Sequence, residues 1–347
     1  MRGLAYTFTP STGVIVRALT GIKPTAVPHI GNFLGSIEPA LRLQDTHDAY
    51  YFIADYHALT TMHDPARMRL HTREVAATWL ALGLDPSRTT VWVQSDVPEV
   101  TELAWLLACV SGLGLLERAH AYKAARDKGV EVGVGTFFYP VLMAADILAY
   151  DADVVPVGRD QKQHVEMARD MATFLNVRFG EVLRLPSALI RDEVAVVPGL
   201  DGQKMSKSYD NTIPLFEEPK VLRKKVMSIV TDSRGVDEPK DPDTCNVFAL
   251  YKHFASPDEQ ADLAARYRAG GLGYGHAKQA LFEVMDRRLA EPRARYREIL
   301  SDPATLDGIL GAGAERARGV AEGVLARCRE AVGFAGVPRG RRPTMAQ

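Results

Sequence analysis

Two kinds of hydrophobic pattern divide the chain. Residues 14–22, VIVRALTGI, form a β-branched apolar run, the pattern of a buried strand. A proline-rich turn, KPTAVPH, follows, and residues 30–44 then read as a helix. Residues 49–57, AYYFIADYH, predict a second strand. Asp64 and Pro65 open the next helix, since Asp caps a first turn and Pro suits it; Val75, Trp79 and Leu82 form its apolar stripe. Residues 89–95, TTVWVQS, predict a third strand, and Pro98 opens a helix with Leu103, Leu106, Leu107 and Val110 at helical spacing. Residues 112–136 are irregular, rich in glycine and charge, and read as an insertion. Residues 153–158, DVVPVG, give a further strand before a helix that Asp160 can begin. Strands alternating with helices imply right-handed crossovers and a parallel sheet, which binds ligands beyond the carboxyl ends of its strands. From about Ile213 the pattern is helical only, over 219–231, 246–255, 257–269, 275–300 (bent at Pro292) and 303–332. The periodicity therefore predicts an α/β nucleotide-type domain followed by a helical one.

Composition narrows the class. The chain has 347 residues, 46% of them hydrophobic and 24% charged, the balance of an ordinary globular protein. No apolar run approaches the roughly 20 residues that span a bilayer, so no membrane partner is expected. The start, MRGLAYTFTPSTG, lacks the charged and apolar regions of a secretory leader. Cys109, Cys245 and Cys328 are far apart, which argues against a zinc site or disulfide framework and fits a reducing cytoplasm. The formal net charge of -1 leaves nucleic-acid binding to a local patch.

Two short stretches carry candidate chemistry. In KPTAVPHIGN (23–32) the first strand turns into the first helix, where backbone N–H groups favour anions. His29 can donate to a phosphate oxygen there, Gly31 leaves room for a base against the backbone, and Asn32 adds an amide. A plain loop with a chance histidine is the competing reading. In GLDGQKMSKSYDN (199–211), Lys204 and Lys207 lie three apart on a glycine-bordered loop and can swing onto a polyphosphate, though such a loop can equally be an idle solvated one.

Taken together, PxxxxHIGN and KMSKS about 175 residues later resemble the two signatures of class I aminoacyl-tRNA synthetases. The blocks FFYPVLMAADILAY (137–150), VPVGRDQKQH (155–164), VTDS (230–233) and GYGHAKQAL (273–281) narrow the resemblance to the tryptophanyl-tRNA synthetases, over roughly residues 14–333. The resemblance implies a Rossmann-like doubly wound parallel sheet with a C-terminal α-helical domain, working as a homodimer. It implies activation of tryptophan with ATP and Mg2+ to an adenylate, release of pyrophosphate, and transfer to tRNA(Trp), with no DNA partner. The domains expected are an extension at 1–13, a catalytic domain at 14–212, an anticodon-binding domain at 213–333 whose last helix is placed to pack back on the catalytic one, and a basic tail at 334–347.

The same resemblance implies roles. His29, Asn32, Lys204 and Lys207 would be the catalytic groups, handling phosphates as the loop closes. ATP would also meet Lys23, Pro24, Gly31, Lys123, Gly158, Asp160, Gln161, Met205, Ser206 and Ser208. Tryptophan would lie among Leu19, Gly21, His57, Tyr139, Met143, Asp146, Ile147, Val155, Val157 and Gln161. The indole N–H only donates, so its site needs a buried acceptor, and Asp146 on an apolar helix suits that role. Plainer readings stand beside these: Asp146 in a helix-to-helix hydrogen bond, Asp160 as a helix cap, His57 as a structural residue. Arg223, Lys224 and Lys225 are either a solvated face or a tRNA contact.

The chain departs from the family pattern at Lys23, where many bacterial members have Gln, and at Leu19, where an aromatic is common. Lys123 matches a family lysine, but the second mobile lysine is replaced by Ala125, with Arg126 adjacent. Two rivals remain: a tyrosyl-tRNA synthetase, which shares the architecture, and a paralogue that binds without charging. The acid in YPVLMAADI disfavours the first, and the complete HIGN, GRDQ and KMSKS elements oppose the second.

Overall fold

A computed structural model of the protein describes residues 16–25, 27–119, 122–123, 131–158, 162–190 and 197–334. Among these residues there are five strands: β1 (Arg17–Ile22), β2 (Asp48–Ile53), β3 (Thr90–Val93), β4 (Val154–Val157) and β5 (Ser187–Ile190). The pairings are parallel and the spatial order is β3-β2-β1-β4-β5. Chain direction across the sheet therefore reverses between β1 and β4. In open α/β sheets, the crevice beyond the strand ends at such a reversal is where ligands bind.

The sheet is covered on both faces, as parallel sheets require. Tyr50 and Phe52 of β2 point to one side, with Leu19 of β1 and Trp92 of β3, under helices Glu99–Val110, Val134–Leu148 and Lys162–Phe179. Tyr51 and Ile53 point to the other, against Val75 and Trp79 of helix Pro65–Ala81. That helix starts at the predicted cap: the Asp64 carboxylate accepts from the N–H of Ala66 and Arg67, and Pro65 follows it.

Several boundaries differ from the periodicity, each for a local reason. The second strand ends at Ile53, not at residue 57, because Asp55–Ala58 forms a helical turn that carries His57. Asp55 Oδ1 accepts from the N–H of Tyr56 and of Ser95, tying this turn to the end of β3. The third strand likewise stops at Val93 and gives way to a 3-10 turn, Gln94–Asp96. The helix expected over 30–44 has a π-helical turn, Phe33–Ile37, between Ile30–Asn32 and Glu38–Leu41. Pro39 lacks the N–H that an α-helix would aim at the Gly35 carbonyl, which favours the wider turn. The edge strand β5 was not anticipated; it has only four residues, and three of them are exposed.

Among the described residues after Ile213, no strand occurs. The helices are Pro219–Met227, Asn246–Tyr251, Pro257–Ala269, Tyr274–Ser301 and Pro303–Ala331, and Pro292 lies within an unbroken helix. Ile30, Phe33, Leu34 and Met205 share one apolar cluster with this helical part, so the first helix and the lysine loop touch both halves. Helix Pro303–Ala331 returns to the sheet. Gly313 packs so closely on β3 that a Cβ there would lie 1.7 Å from the Val91 carbonyl oxygen. Ala317, Ala321, Val324 and Cys328 further along the helix join the apolar cluster that includes Trp92 of β3 and Leu103. Among the described residues, no helix is long and apolar enough to cross a membrane.

Candidate active site

The turn after β1 and the distant lysine loop are joined by main-chain and side-chain contacts. His29 caps the first helix: its Nδ1 accepts from the Asn32 N–H at 3.3 Å, and Asn32 Oδ1 accepts from the His29 N–H at 3.1 Å. The Ile30 N–H donates to the Ile213 carbonyl at 2.9 Å, and the Leu215 N–H to that of Pro28 at 3.2 Å. The Gly31 N–H reaches the Met205 sulfur at 3.2 Å. A Cβ on Gly31 would stand 3.0 Å from the His29 ring and 3.2 Å from Met205 Cβ, so any larger residue would press the ring and the loop apart by a few tenths of an ångström. The first-turn N–H groups expected to face an anion therefore already have partners in this state. Two of those partners, a thioether and an imidazole, are weaker acceptors than a phosphate oxygen.

Within the loop, Asn211 is the buried staple. Its Oδ1 accepts from the Ser206 N–H at 2.8 Å, and its Nδ2 donates to Asp201 Oδ1 at 2.7 Å and to the Lys204 carbonyl at 3.2 Å. Gly202 takes a positive φ of 84° at the tip. Ser206 accepts from the Ser208 N–H, capping the 3-10 turn Lys207–Tyr209. The lysine side chains are exposed, and neither ammonium makes an ion pair among the described residues. The Lys207 charge nonetheless reaches His29. Burial, assisted by that charge, lowers the imidazole pKa to about 4, so His29 is neutral at physiological pH. With Nδ1 accepting, its proton sits on Nε2, free to be donated.

Beside the turn lies a cavity of about 310 Å3 at the switch point. Its lining includes Leu19, Gly21 and Lys23 from β1 and the turn after it, His57 from the helical turn after β2, and Val155, Val157 and Gly158 from β4 and the residue following it. Tyr139, Met143, Asp146 and Ile147 also line it; they share one face of helix Val134–Leu148 at helical spacing. Gly21 lies flat on the Phe52 ring, where a Cβ would fall 2.4 Å from its Cζ, and this closeness leaves the floor open. Lys23 as a whole is exposed, but its ammonium sits 4.7 Å from the Tyr139 ring centroid, and partial burial lowers its pKa. The Tyr139 ring also meets the His57 and His164 rings edge-on, at 4.9 and 5.7 Å.

At the bottom of the cavity Asp146 is almost fully buried, at 1% exposure. Its Oδ2 lies 2.7 Å from His57 Nε2. The Gln94 Nε2 straddles the carboxylate, 2.7 Å from Oδ1 and 2.8 Å from Oδ2. Burial raises the Asp146 pKa from the ordinary 3.8, opposed by the His57 and Gln94 interactions. A carboxylate only accepts, so His57 Nε2 carries the proton, and Nδ1 is left as a buried acceptor without a described partner. Asp146 is thus held in a side-chain network, and its roughly four lone-pair sites still leave capacity for another donor.

The described residues expected to meet tryptophan therefore converge on one cavity. Asp160, Gln161, Ala125 and Arg126 lie outside the described residues. Pro24 is buried beneath the turn, and Lys123 is exposed and does not line the cavity. Sequence reasoning missed Gln94, Phe52 and His164. The signal for Gln94 was an amide at the carboxyl end of an apolar strand, where sheet ligands bind.

Comparison with known proteins places the chain in a class. The family model for "tRNA synthetases class I (W and Y)" matches residues 13–290, and the chain belongs to that family. Within it, the chain sides with the enzymes for tryptophan. It is 52% identical over 319 residues to the tryptophan–tRNA ligase of Rhodopirellula baltica, covering 92% of this chain and 100% of that one. The ligase of Pseudomonas putida is also 52% identical, across 92% and 74% of the two chains. The crystal structure of tryptophanyl-tRNA synthetase from Campylobacter jejuni, complexed with ADP and tryptophan, superposes with a TM-score of 0.88 at 46% identity, over 92% and 100% of the chains. A tyrosyl-tRNA synthetase from Aeropyrum pernix, at 21% identity and a TM-score of 0.62, shares the fold alone.

Proposed function

We propose that the chain activates L-tryptophan with ATP and transfers it to tRNA(Trp), releasing AMP and pyrophosphate. The observation that carries this is the HIGN turn seated on the KMSKS loop, beside a cavity whose floor is a buried carboxylate. In the first step the tryptophan carboxylate attacks the α-phosphorus of ATP, and the bond to the pyrophosphate oxygen breaks. The substrate supplies the nucleophile, so the protein contributes position and electrostatics. The donors at the turn and loop are lysine ammoniums, an imidazole N–H and an amide, which suit phosphate oxygens. Magnesium enters with the ATP phosphates.

His29 Nε2–H, neutral at pH 7, hydrogen-bonds phosphate without competing as a base. Lys204 and Lys207, without ion-pair partners among the described residues, swing onto the leaving pyrophosphate, where the charge grows most. Gly158 and the residues after it receive the ribose. The indole ring fills the apolar space between Met143, Val155 and Val157, and its N–H donates to Asp146. Phenylalanine would leave the remaining lone pair of Asp146 without a donor, a form of rejection stronger than a greasy wall provides. Homodimer formation fits the exposed Trp105 and Leu113 around helix Glu99–Val110, an apolar face for a second copy. The three free cysteines fit work in the cytoplasm.

ATP–pyrophosphate exchange with each of tryptophan, tyrosine and phenylalanine tests the reading. Exchange dependent on tryptophan is expected; equal exchange with tyrosine would sink it.

A further inference from the structure

The acceptor at the floor of the cavity does not hold itself in place, and the residue that holds it comes from a different strand. Gln94 stands at the carboxyl end of β3 and has no solvent exposure at all. Its Oε1 accepts from the Tyr56 N–H at 3.1 Å. That bond fixes which way the amide faces, because a flipped amide would set its N–H2 against the Tyr56 N–H and its oxygen against a carboxylate. The amide nitrogen is therefore committed to Asp146, equidistant from the two oxygens within 0.1 Å. The Tyr56 N–H belongs to the same turn that carries His57, the second group on Asp146. One side chain thus sets the carboxylate and, through the turn, the imidazole beside it.

We infer that Gln94 is a positioning and specificity-determining residue for the amino-acid site: it orients Asp146 and keeps it ionised, so that its remaining lone pairs face the indole N–H. The inference rests on the tryptophan reading given above. A buried carboxyl is pushed towards its neutral form, in which one oxygen becomes a donor and opposes an N–H ligand. Donors bound to the ionised form resist that push, and Gln94 supplies them without adding a charge. Arg or Lys at this position would also hold the carboxylate, but would neutralise the field that attracts the indole N–H.

The test is tryptophan-dependent ATP–pyrophosphate exchange, measured as a function of pH for the natural protein, Gln94→Met and Gln94→Glu. Gln94→Met keeps the volume and removes the donors. It should raise KM for tryptophan about tenfold, the loss of about one hydrogen bond to a charged group, with kcat and KM for ATP within about twofold. The acidic limb of kcat/KM for tryptophan should move to higher pH, because Asp146 loses a group that keeps it ionised. Gln94→Glu is nearly isosteric but sets two carboxylates together, so they share a proton. Its kcat/KM for tryptophan should improve as pH falls from 8.5 to 6.5, opposite in slope to the natural protein. A residue that only supports the fold would lower thermal stability and move neither limb. Exchange present in the natural protein, with tryptophan KM and both pH profiles unchanged in the variants, overturns this inference alone. No tryptophan-dependent exchange in the natural protein overturns the reaction assigned above and this inference with it.

Discussion

Asp146→Asn separates the recognition reading from the plain structural one. The substitution keeps shape and one acceptor oxygen, which can still take the Gln94 amide. It replaces the other oxygen with an N–H2 group facing His57 Nε2, 2.7 Å from that oxygen in the natural protein. The imidazole can accommodate this by moving its proton to Nδ1. The indole N–H then meets a neutral, partly committed amide instead of a carboxylate. A hydrogen bond to a charged group is worth about 2 kcal/mol, so kcat/KM for tryptophan should fall roughly thirtyfold, with the ATP terms little changed. Stability should move the other way or hardly at all. The carboxyl is buried and its pKa lies above 3.8, so the ionised group carries a desolvation cost that Asn removes. The net change should stay within about 1 kcal/mol. The sign with pH follows: folded Asp146 binds its proton more tightly than the unfolded chain does, so its contribution to stability falls as pH rises from 3.8 through the raised folded value. Asp146→Asn should flatten that segment of the Tm profile. Pyrophosphate exchange and thermal melts at several pH values are the assays. A large loss of Tm with equal falls in every kinetic parameter would refute the reasoning and leave Asp146 as a structural tie.

Four further outcomes are expected. Lys207→Ala should slow pyrophosphate exchange at least about a hundredfold while tryptophan binding changes little, since the ammonium acts on the leaving group; equal losses in both would remove that role. It should also raise the His29 pKa above about 4, because the Lys207 charge helps to hold it down, as ring-proton NMR titration would show. The depressed His29 pKa contributes stability that is present above 6.5 and lost as pH falls towards about 4, so His29→Asn should flatten the melting profile in that window. Gly313→Ala forces a Cβ to within 1.7 Å of the Val91 carbonyl oxygen and should cost about 3 kcal/mol or more, read by urea unfolding; a change under about 0.5 kcal/mol would mean that the last helix is not tightly seated on β3.

The alternation of patterns was enough to predict a parallel sheet and a helical second half, because buried parallel strands and long amphipathic helices write themselves plainly in residue order. The short features were not legible. The strand β5 is four mostly exposed residues, and the turn Asp55–Ala58 looks like the continuation of the apolar run AYYFIA. Candidate residues came from recognisable blocks, and the structure gathers those expected around tryptophan, where described, about one cavity. Gln94 escaped because its partner Asp146 lies 52 residues away, and its place at the end of an apolar strand was the one local mark it carried. The Met205 seat on Gly31, across 174 residues, escaped for the same reason. The sequence also led to an open anion-binding helix start, whereas those N–H groups already have partners: the Ile213 carbonyl for Ile30, the Met205 sulfur of the loop for Gly31, and the His29 ring for Asn32. Under the proposed function, ATP phosphate would replace the Met205 sulfur at the Gly31 N–H, which would give the loop a physical reason to move.

The HIGN turn, the KMSKS loop and the cavity beside them should serve one reaction on one amino acid. Charging purified tRNA(Trp) with radiolabelled amino acids in the presence of ATP and Mg2+ checks this. Acid-precipitable tryptophan on tRNA(Trp) is expected, with none on tRNA(Tyr) and no charging with tyrosine or phenylalanine above background. Tyrosine attached to tRNA(Tyr), or tryptophan bound by the protein but never transferred, would contradict it.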